Sequence, residues 1–352
     1  MAVQATKRTS MDVYVYSAGS MLPGPPVDIP TLARRFRMTS IWEQWVEAFI
    51  GTPVRHYSVD LDTGEARFSL ADLATTAAER ALAAAGMTAA DVDLVVMGTS
   101  SPDMLMPATV NVVADQLGVD GVPTYQLQSG CTGAVQALDV ARHMLRSGAA
   151  RTALVLGADS CAKHFDLTAD VSALPPEEQV NGVLFGDGAG AAVLGTTPPP
   201  EPVALRWTQV HCVGHNRPPG QTLNWFGAAE RHVLRPAAVE DYRAVQEAVP
   251  PMAVETLDEV LDVLGWDRDG LDYVLPPQLS GRMTAEIQAR LDVPQAQEVS
   301  CVGETGNTGN ALPFFQLERL LPGMVTGDRA VGVAIESSKW IKAGFALEKV
   351  GP

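Results

Sequence analysis

The chain runs twice through the same order of elements, and a repeated order restricts a fold more than any single motif does. Residues 93–97 read as a short apolar strand that ends in a Thr/Ser/Pro turn, and 108–117 as a helix. Residues 124–127 read as a strand, 132–145 as an amphipathic helix and 153–157 as a buried strand. The glycine-rich 186–190 reads as a tight turn feeding a strand over 191–194. From residue 271 the order recurs. A strand ends in Pro276 and Pro277, a helix follows near 283–291, then a small-residue turn at 305–310. A helix over 312–321, a strand over 330–335 and a segment at 343–346 that echoes 189–192 complete it. The turn Thr305-Gly306-Asn307-Thr308-Gly309-Asn310 echoes Ser129-Gly130-Cys131-Thr132-Gly133-Ala134. Strands alternating with helices predict a largely parallel, helix-covered α/β architecture. Four echoes in one order predict a duplicated unit, with its join in the proline-rich 196–202. The first half then spans 1–200 and carries the nucleophile, and the second spans 201–352.

Composition narrows the function. With 352 residues, 46% hydrophobic and 19% charged, the chain can bury two cores and is not disordered. Acidic residues number 41 against 25 Lys plus Arg, so the net charge of −16 excludes nucleic acid and anionic membranes as main partners. Four Cys give no disulfide framework, and no Cys/His spacing suits a metal. No 18-residue apolar run and no signal-peptide pattern in residues 1–20 are found, which predicts a cytoplasmic protein. Residues 160–182 and 210–236 interrupt the repeat, and such insertions shape pockets or subunit contacts.

Cys131 carries the chemistry. A strand leads into it, a helix starts at or just after it, and small neighbours leave its thiol accessible. A helix N-terminus depresses a thiol pKa, which predicts a nucleophile for acyl transfer. The bland alternative, a buried inert thiol, suits Cys161, Cys212 and Cys301 better.

Several segments together resemble the thiolase superfamily, and within it ketoacyl-ACP synthase III. They are Trp45 with Gly51, Arg55 and His56; Gly98-Thr99-Ser100-Ser101 with Pro107; Ser129 to Gly133; Leu184-Phe185-Gly186-Asp187-Gly188-Ala189-Gly190; and Gly306-Asn307-Thr308-Gly309. The resemblance implies the duplicated thiolase fold, a five-layer αβαβα architecture, in a homodimer. It implies an acyl group arriving on Cys131 from acyl-CoA or a phosphopantetheinyl acyl carrier protein, with no other cofactor and no metal. It assigns Asn307 to the catalytic set and Trp45, Phe49 and Met106 to the substrate tunnel. It places the oxyanion hole at the backbone N–H of Cys131 and of Ser337 or Ser338, Ser338 being preferred.

The departures from that family decide the reaction. The catalytic His of the family falls at Pro277, which has no side-chain donor or base. A run of glycines is replaced by Glu336-Ser337-Ser338-Lys339-Trp340, and an Arg at the tunnel mouth by Phe49. Acylation needs a thiol and an oxyanion hole, whereas decarboxylative condensation needs the missing His. Losing one stabilising donor costs about 2.7–4 kcal/mol of barrier. The departures therefore predict an acyltransferase of specialised metabolism, of the kind found in antibiotic pathways, with a small-molecule O, N or S acceptor. The alternative is a carbon–carbon condensing enzyme with a rearranged base. His211, His215 and His232 in the second insertion are the candidate bases. Arg34, Arg35 and Arg37, with Lys7 and Arg8 upstream, read as a solvated face that could also dock a CoA or carrier-protein phosphate.

Overall fold

The computed structural model describes residues 12–164, 171–173, 176–225 and 238–351. Ten strands lie in one hydrogen-bonded order that divides into two fives. The first five are β1 (Tyr14–Met21), β2 (Leu94–Gly98), β3 (Thr124–Leu127), β4 (Thr152–Asp159) and β5 (Gly188–Gly195). The second five are β6 (Val203–Cys212), β7 (Tyr273–Leu275), β8 (Gln297–Glu298), β9 (Arg329–Glu336) and β10 (Ile341–Lys349). Their orders correspond strand for strand: β1-β5-β4-β2-β3 and β6-β10-β9-β7-β8. In each five the second strand runs antiparallel to the first and third, and the last two run parallel to the third. The fives meet where Tyr14 and Val15 pair with Ala204 and Val203.

Helices complete the layers. On the outer face of the first five lie α1 (Leu70–Ala84) and α2 (Thr109–Leu117), packed through Leu73, Ala77 and Val113 against Val95, Leu154 and Val193. Between the two fives lie α3 (Gly133–Arg146) and α6 (Leu312–Leu320). Leu138, Leu145, Phe314 and Leu317 there meet Val155 and Leu194 from one side and Leu205 and Phe345 from the other. Outside the second five lie α4 (Tyr242–Leu264) and α5 (Gly281–Leu291), with Leu257, Val260 and Ile287 on Val331 and Val333. The architecture is the duplicated αβαβα fold. Helices on both faces explain why every residue of β5 is buried and why β4 and β9 are near-continuous apolar runs. Local signals set the ends. Ser69 and Asp72 form a capping box for α1, and α4 runs from an Asp241 cap to a left-handed Gly265.

Three elements differ from their sequence patterns. The seam strands β1 and β6 were not expected. In β1 the Ser, Ala and Gly content hides the alternation that buries Val15 and Ser17. In β6 the strand continues to Cys212, into what reads as the start of the second insertion. The Gly186–Gly190 segment is already strand from Gly188, because β1 and β4 pair with it. Among the described residues no helix is long and apolar enough to cross a membrane.

Phe314 is fully buried where the middle layer meets the first five. Phe314→Ala is expected to lower unfolding stability by about 3–5 kcal/mol, read by denaturant titration. A loss below about 1 kcal/mol would show that the middle layer does not hold the halves together.

Candidate active site

Cys131 sits between β3 and α3, in the single 3-10 turn Gly130–Thr132. The turn requires glycine at 130. Its φ is +53°, and a Cβ built there would overlap the Glu336 carboxylate. Gly133 opens α3, whose next N–H, from Ala134, donates to Asn310 Oδ1 at 2.8 Å. The side chain of Cys131 is half-buried.

Glu336 closes β9 and belongs to the other half of the chain, yet its carboxylate lies on the nucleophile's turn. Cys131 N–H donates to Glu336 Oε2, and Ser338 N–H donates to Glu336 Oε1 at 2.6 Å. The two backbone donors expected to form an oxyanion hole do converge, but on a carboxylate carried by the chain itself. Burial pushes the Glu336 carboxyl above its ordinary range, against the lowering effect of these hydrogen bonds. Glu240, on the short strand Ala238–Glu240, is pushed up to about 7 by burial and by the charge of Glu336.

The arrangement recurs in the second half with the roles exchanged. Gly309 has φ +54°, and a Cβ there would overlap the Asp159 carboxylate at the end of β4. Asn310 N–H donates to Asp159 Oδ2 at 2.9 Å. Asn310, not Asn307, therefore occupies the place equivalent to Cys131. The echo of Ser129–Gly133 in Thr305–Gly309 matches letters three residues out of register with the backbone. Asn307 is instead pinned ahead of the turn: Gly186 N–H donates to its carbonyl at 2.9 Å, and its Oδ1 accepts from Gly309 N–H at 3.0 Å. That leaves its amide nitrogen as the group it can offer.

Cys131 lines two cavities. The smaller, about 30 Å3, has room for one water and is also lined by Asn307, Pro277, Gln278 and Leu279. Gln278 cannot stand in for a base. Its Oε1 accepts from the N–H of Cys301 and of Val302, both at 2.7 Å, and its Nε2 donates to Ser300 at 2.9 Å. The larger cavity, about 340 Å3, has an apolar wall of Phe185, Leu223 and Trp225 and polar groups from Glu336 and His164. The His164 ring stands edge-on to Trp225 at 5.8 Å, and its buried Nε2 has no hydrogen-bond partner among the described residues. Burial, with Lys163 nearby, holds His164 down at about 4, so it is a neutral imidazole.

The remaining predicted residues lie elsewhere. His211 is exposed on the far side of β6, with Nδ1 3.6 Å from Glu259, and His215 pairs with Asn216 at 3.1 Å on the surface. Neither lines a cavity with Cys131, which corrects the expectation for both. The reason is the unforeseen length of β6, which carries the start of the insertion away from the thiol. His232 falls outside the described residues, as do Lys7 and Arg8. Trp45 packs into the core cluster of Leu32, Phe36 and Val46 and stacks on Phe49 at 5.8 Å. Phe49 is 59% exposed and Met106 85% exposed. None of the three lines either Cys131 cavity, so the expected tunnel set is not assembled within one chain. The expected low thiol pKa is also corrected. Burial pushes Cys131 well above the ordinary range, and Glu336 and Asp159 act the same way. A one-turn segment facing two carboxylates does not give its N-terminus the field of an open helix end. Sequence reasoning missed His164 and the placement of Glu336. The only local signal for the latter was a carboxylate standing in place of glycine.

Comparisons with known proteins converge on one family. Residues 125–212 match the family of 3-oxoacyl-[acyl-carrier-protein] synthase III. The chain is 32% identical to the beta-ketoacyl-[acyl-carrier-protein] synthase III of Rhodospirillum rubrum over 343 residues, covering 90% of this chain and 95% of the relative. It is 62% identical to a solved structure described as AbyA1, a tetronic acid condensing enzyme, with TM-score 0.93 and coverage of 96% and 99% of the two chains. The 3-oxoacyl-(acyl carrier protein) synthase III structure from Pseudomonas aeruginosa PAO1 matches at 27% identity and TM-score 0.82, covering 97% and 99%.

A thiol whose pKa is raised holds less thiolate at neutral pH, and thiolate is the reactive form. At pH 7 iodoacetamide is expected to label exposed Cys212 at least about tenfold faster than Cys131, with the gap narrowing as pH rises past 9. Peptide mapping reads both sites. Cys131 labelled first at pH 7 would contradict the electrostatics described above.

Proposed function

The chain belongs to the 3-oxoacyl-[acyl-carrier-protein] synthase III family, and from that premise we propose that it takes an acyl group onto Cys131 and transfers it to an acceptor without decarboxylation. The observation that carries this reading is Pro277. It lines the small cavity shared by Cys131 and Asn307, where a decarboxylating enzyme needs a second donor on the thioester oxygen. The neighbouring Gln278 has its polar atoms committed to the backbone and to Ser300. The donor is a CoA or acyl-carrier-protein thioester, and the transfer runs in two steps. Cys131 attacks the thioester carbonyl and the carrier thiol leaves. The acceptor then attacks the Cys131 thioester. Asn307 offers its amide nitrogen to the incoming unit.

The acceptor atom is O, N or S in the first form of this reading. A second form is favoured by the 62% identity to a tetronic acid condensing enzyme. A tetronic acid ring holds one ester C–O bond and one carbon–carbon bond to a carbon flanked by two carbonyls. Such a carbon is acidic enough to react without losing carbon dioxide, so a condensation of this kind tolerates Pro277. In either form the protein works as a homodimer. Among the described residues the β3 edge next to Cys131 is unpaired on its outer side, with Tyr125 42% exposed, which supports a second copy pairing there.

Intact-mass analysis with a panel of acyl-CoA and acyl-carrier thioesters is expected to show one acyl adduct on wild type and none on Cys131→Ala. Labelled malonyl-carrier protein, given to acylated enzyme, is expected to release carbon dioxide at least about a hundredfold more slowly than with a Cys–His–Asn synthase. An adduct on another cysteine would sink the first statement, and rapid release the second.

A further inference from the structure

We propose that Glu336 is the group that removes the proton from the acceptor, and that loading of Cys131 moves its carboxylate off the two N–H groups it occupies so that it can do so. This rests on the reading that Cys131 carries the acyl group.

A carboxylate and an acyl oxygen compete for the same donors. The backbone N–H groups of Cys131 and Ser338 face one carboxylate, each donating to a different oxygen of Glu336, Oε2 and Oε1. An acyl group on the Cys131 sulfur has its carbonyl oxygen within reach of the same two donors, as in other thioester-forming enzymes with a nucleophile N–H in the oxyanion hole. Two oxygens of like charge cannot share them. When the carbonyl oxygen takes the donors, the carboxylate must turn aside, and the space open to it is the 340 Å3 cavity that Glu336 and Cys131 line together. It then lies beside the acyl carbon, buried and stripped of two hydrogen bonds. A carboxylate in that state is a stronger base than before.

The equivalent carboxylate shows what an acid built only for support looks like. Asp159 accepts from Ser100 N–H at 2.7 Å, Asn310 Nδ2 at 2.8 Å, Ser101 Oγ at 2.9 Å, Asn310 N–H at 2.9 Å and Thr99 Oγ1 at 3.2 Å. It cannot leave without orphaning them. Glu336 has two backbone donors, both of which the acyl oxygen would satisfy in its place, and side-chain hydrogen bonds from Ser338 and from the Cys131 thiol, the latter removed by acylation itself. The same cavity wall also carries Asp159, committed to the hydrogen bonds just named, Lys339, whose Nζ donates to the Arg217 carbonyl at 2.7 Å, Cys161, whose thiol burial pushes up, and His164, held at about 4 and a weak base.

The step balances. The acceptor's O–H, or the C–H of a carbon between two carbonyls, gives its proton to Glu336. The acceptor atom bonds to the acyl carbon while the C–S bond breaks. The Glu336 carboxylic acid then returns the proton to the Cys131 thiolate.

The test follows the decay of the acyl-enzyme, in water and with glycerol or acetoacetyl-N-acetylcysteamine added. Water itself is an acceptor, so a decay is always measurable. Acetyl groups are loaded from acetyl-CoA and, separately, from p-nitrophenyl acetate, and decay is counted from whatever fraction of Cys131 has loaded. Glu336→Gln keeps the shape and removes the base. Its acyl-enzyme is expected to decay about a hundredfold more slowly than wild type. Glu336→Gly leaves a carboxylate-sized space, and sodium formate is expected to speed its decay at least about tenfold, which a purely structural role would not produce. A Gln acyl-enzyme that decays within about threefold of wild type, or a Gly acyl-enzyme that formate leaves unchanged, overturns the proposal. If wild type loads Cys131 from no thioester, the acyl-enzyme reading fails instead, and the ester-loaded decay still decides the role of Glu336.

Discussion

Two buried carboxylates, each seated on the first turn of the other half's central helix, hold the arrangement on which the site depends. Asp159 ends β4 and binds the turn before α6, and Glu336 ends β9 and binds the turn before α3. A charge taken out of water needs donors, and backbone N–H groups at a turn supply them in charge-assisted form. These contacts demand glycine with positive φ at 130 and 309, because a side chain there would strike the carboxylate. They also fix the facing ends of the two middle-layer helices, so the nucleophile's position is set from outside its own half. Cys131 is 205 residues from Glu336 in the chain, and that contact positions it.

The asymmetry between the two carboxylates carries the functional difference. Asp159 is saturated and serves as a strut, with Asn310 tying it to Ala134 across the helix starts. Both carboxylates border the larger cavity, but Glu336 is held by fewer donors and sits directly on the nucleophile's N–H. A duplicated fold offers two such places. In this chain the polar network closes around one and leaves the other beside a thiol, which is how symmetric scaffolding becomes a one-sided reaction centre.

What the residues disclosed in advance follows from how local each cause is. The alternation of strands and helices and the turn at Cys131 rest on neighbours in sequence, and pattern reading finds them, whereas Pro277 stands out only through the family resemblance. The seam strands escaped because β1 is built from Ser, Ala and Gly whose strand character comes from partners on both sides rather than from their own propensity. The three-residue slip of the internal echo has a similar source. Thr305–Gly309 resembles Ser129–Gly133 letter by letter, but what the fold repeats is a positive-φ glycine under a distant carboxylate, and the carboxylates lie at 159 and 336. His211 and His215 lie away from the thiol for a related reason. His211 rides on a strand whose pairing with β10 turns it toward Glu259, while His164, isolated in sequence, faces the cavity.

The occupied pair of N–H groups bears on why this thiol is not simply activated. A low-pKa thiolate in an open oxyanion hole reacts with any thioester that enters and loses its acyl group to any water that follows. Here burial and two carboxylates keep the thiol protonated, and the hole is filled by the chain's own oxygen. Hydrogen bonds to a charged group are worth about 1.5–3 kcal/mol each. On the proposed acyl-transfer reading, an acyl donor would have to offset that from its own contacts with the Phe185, Leu223 and Trp225 wall before its carbonyl settled. Binding energy from the acyl chain is thereby converted into opening of the site.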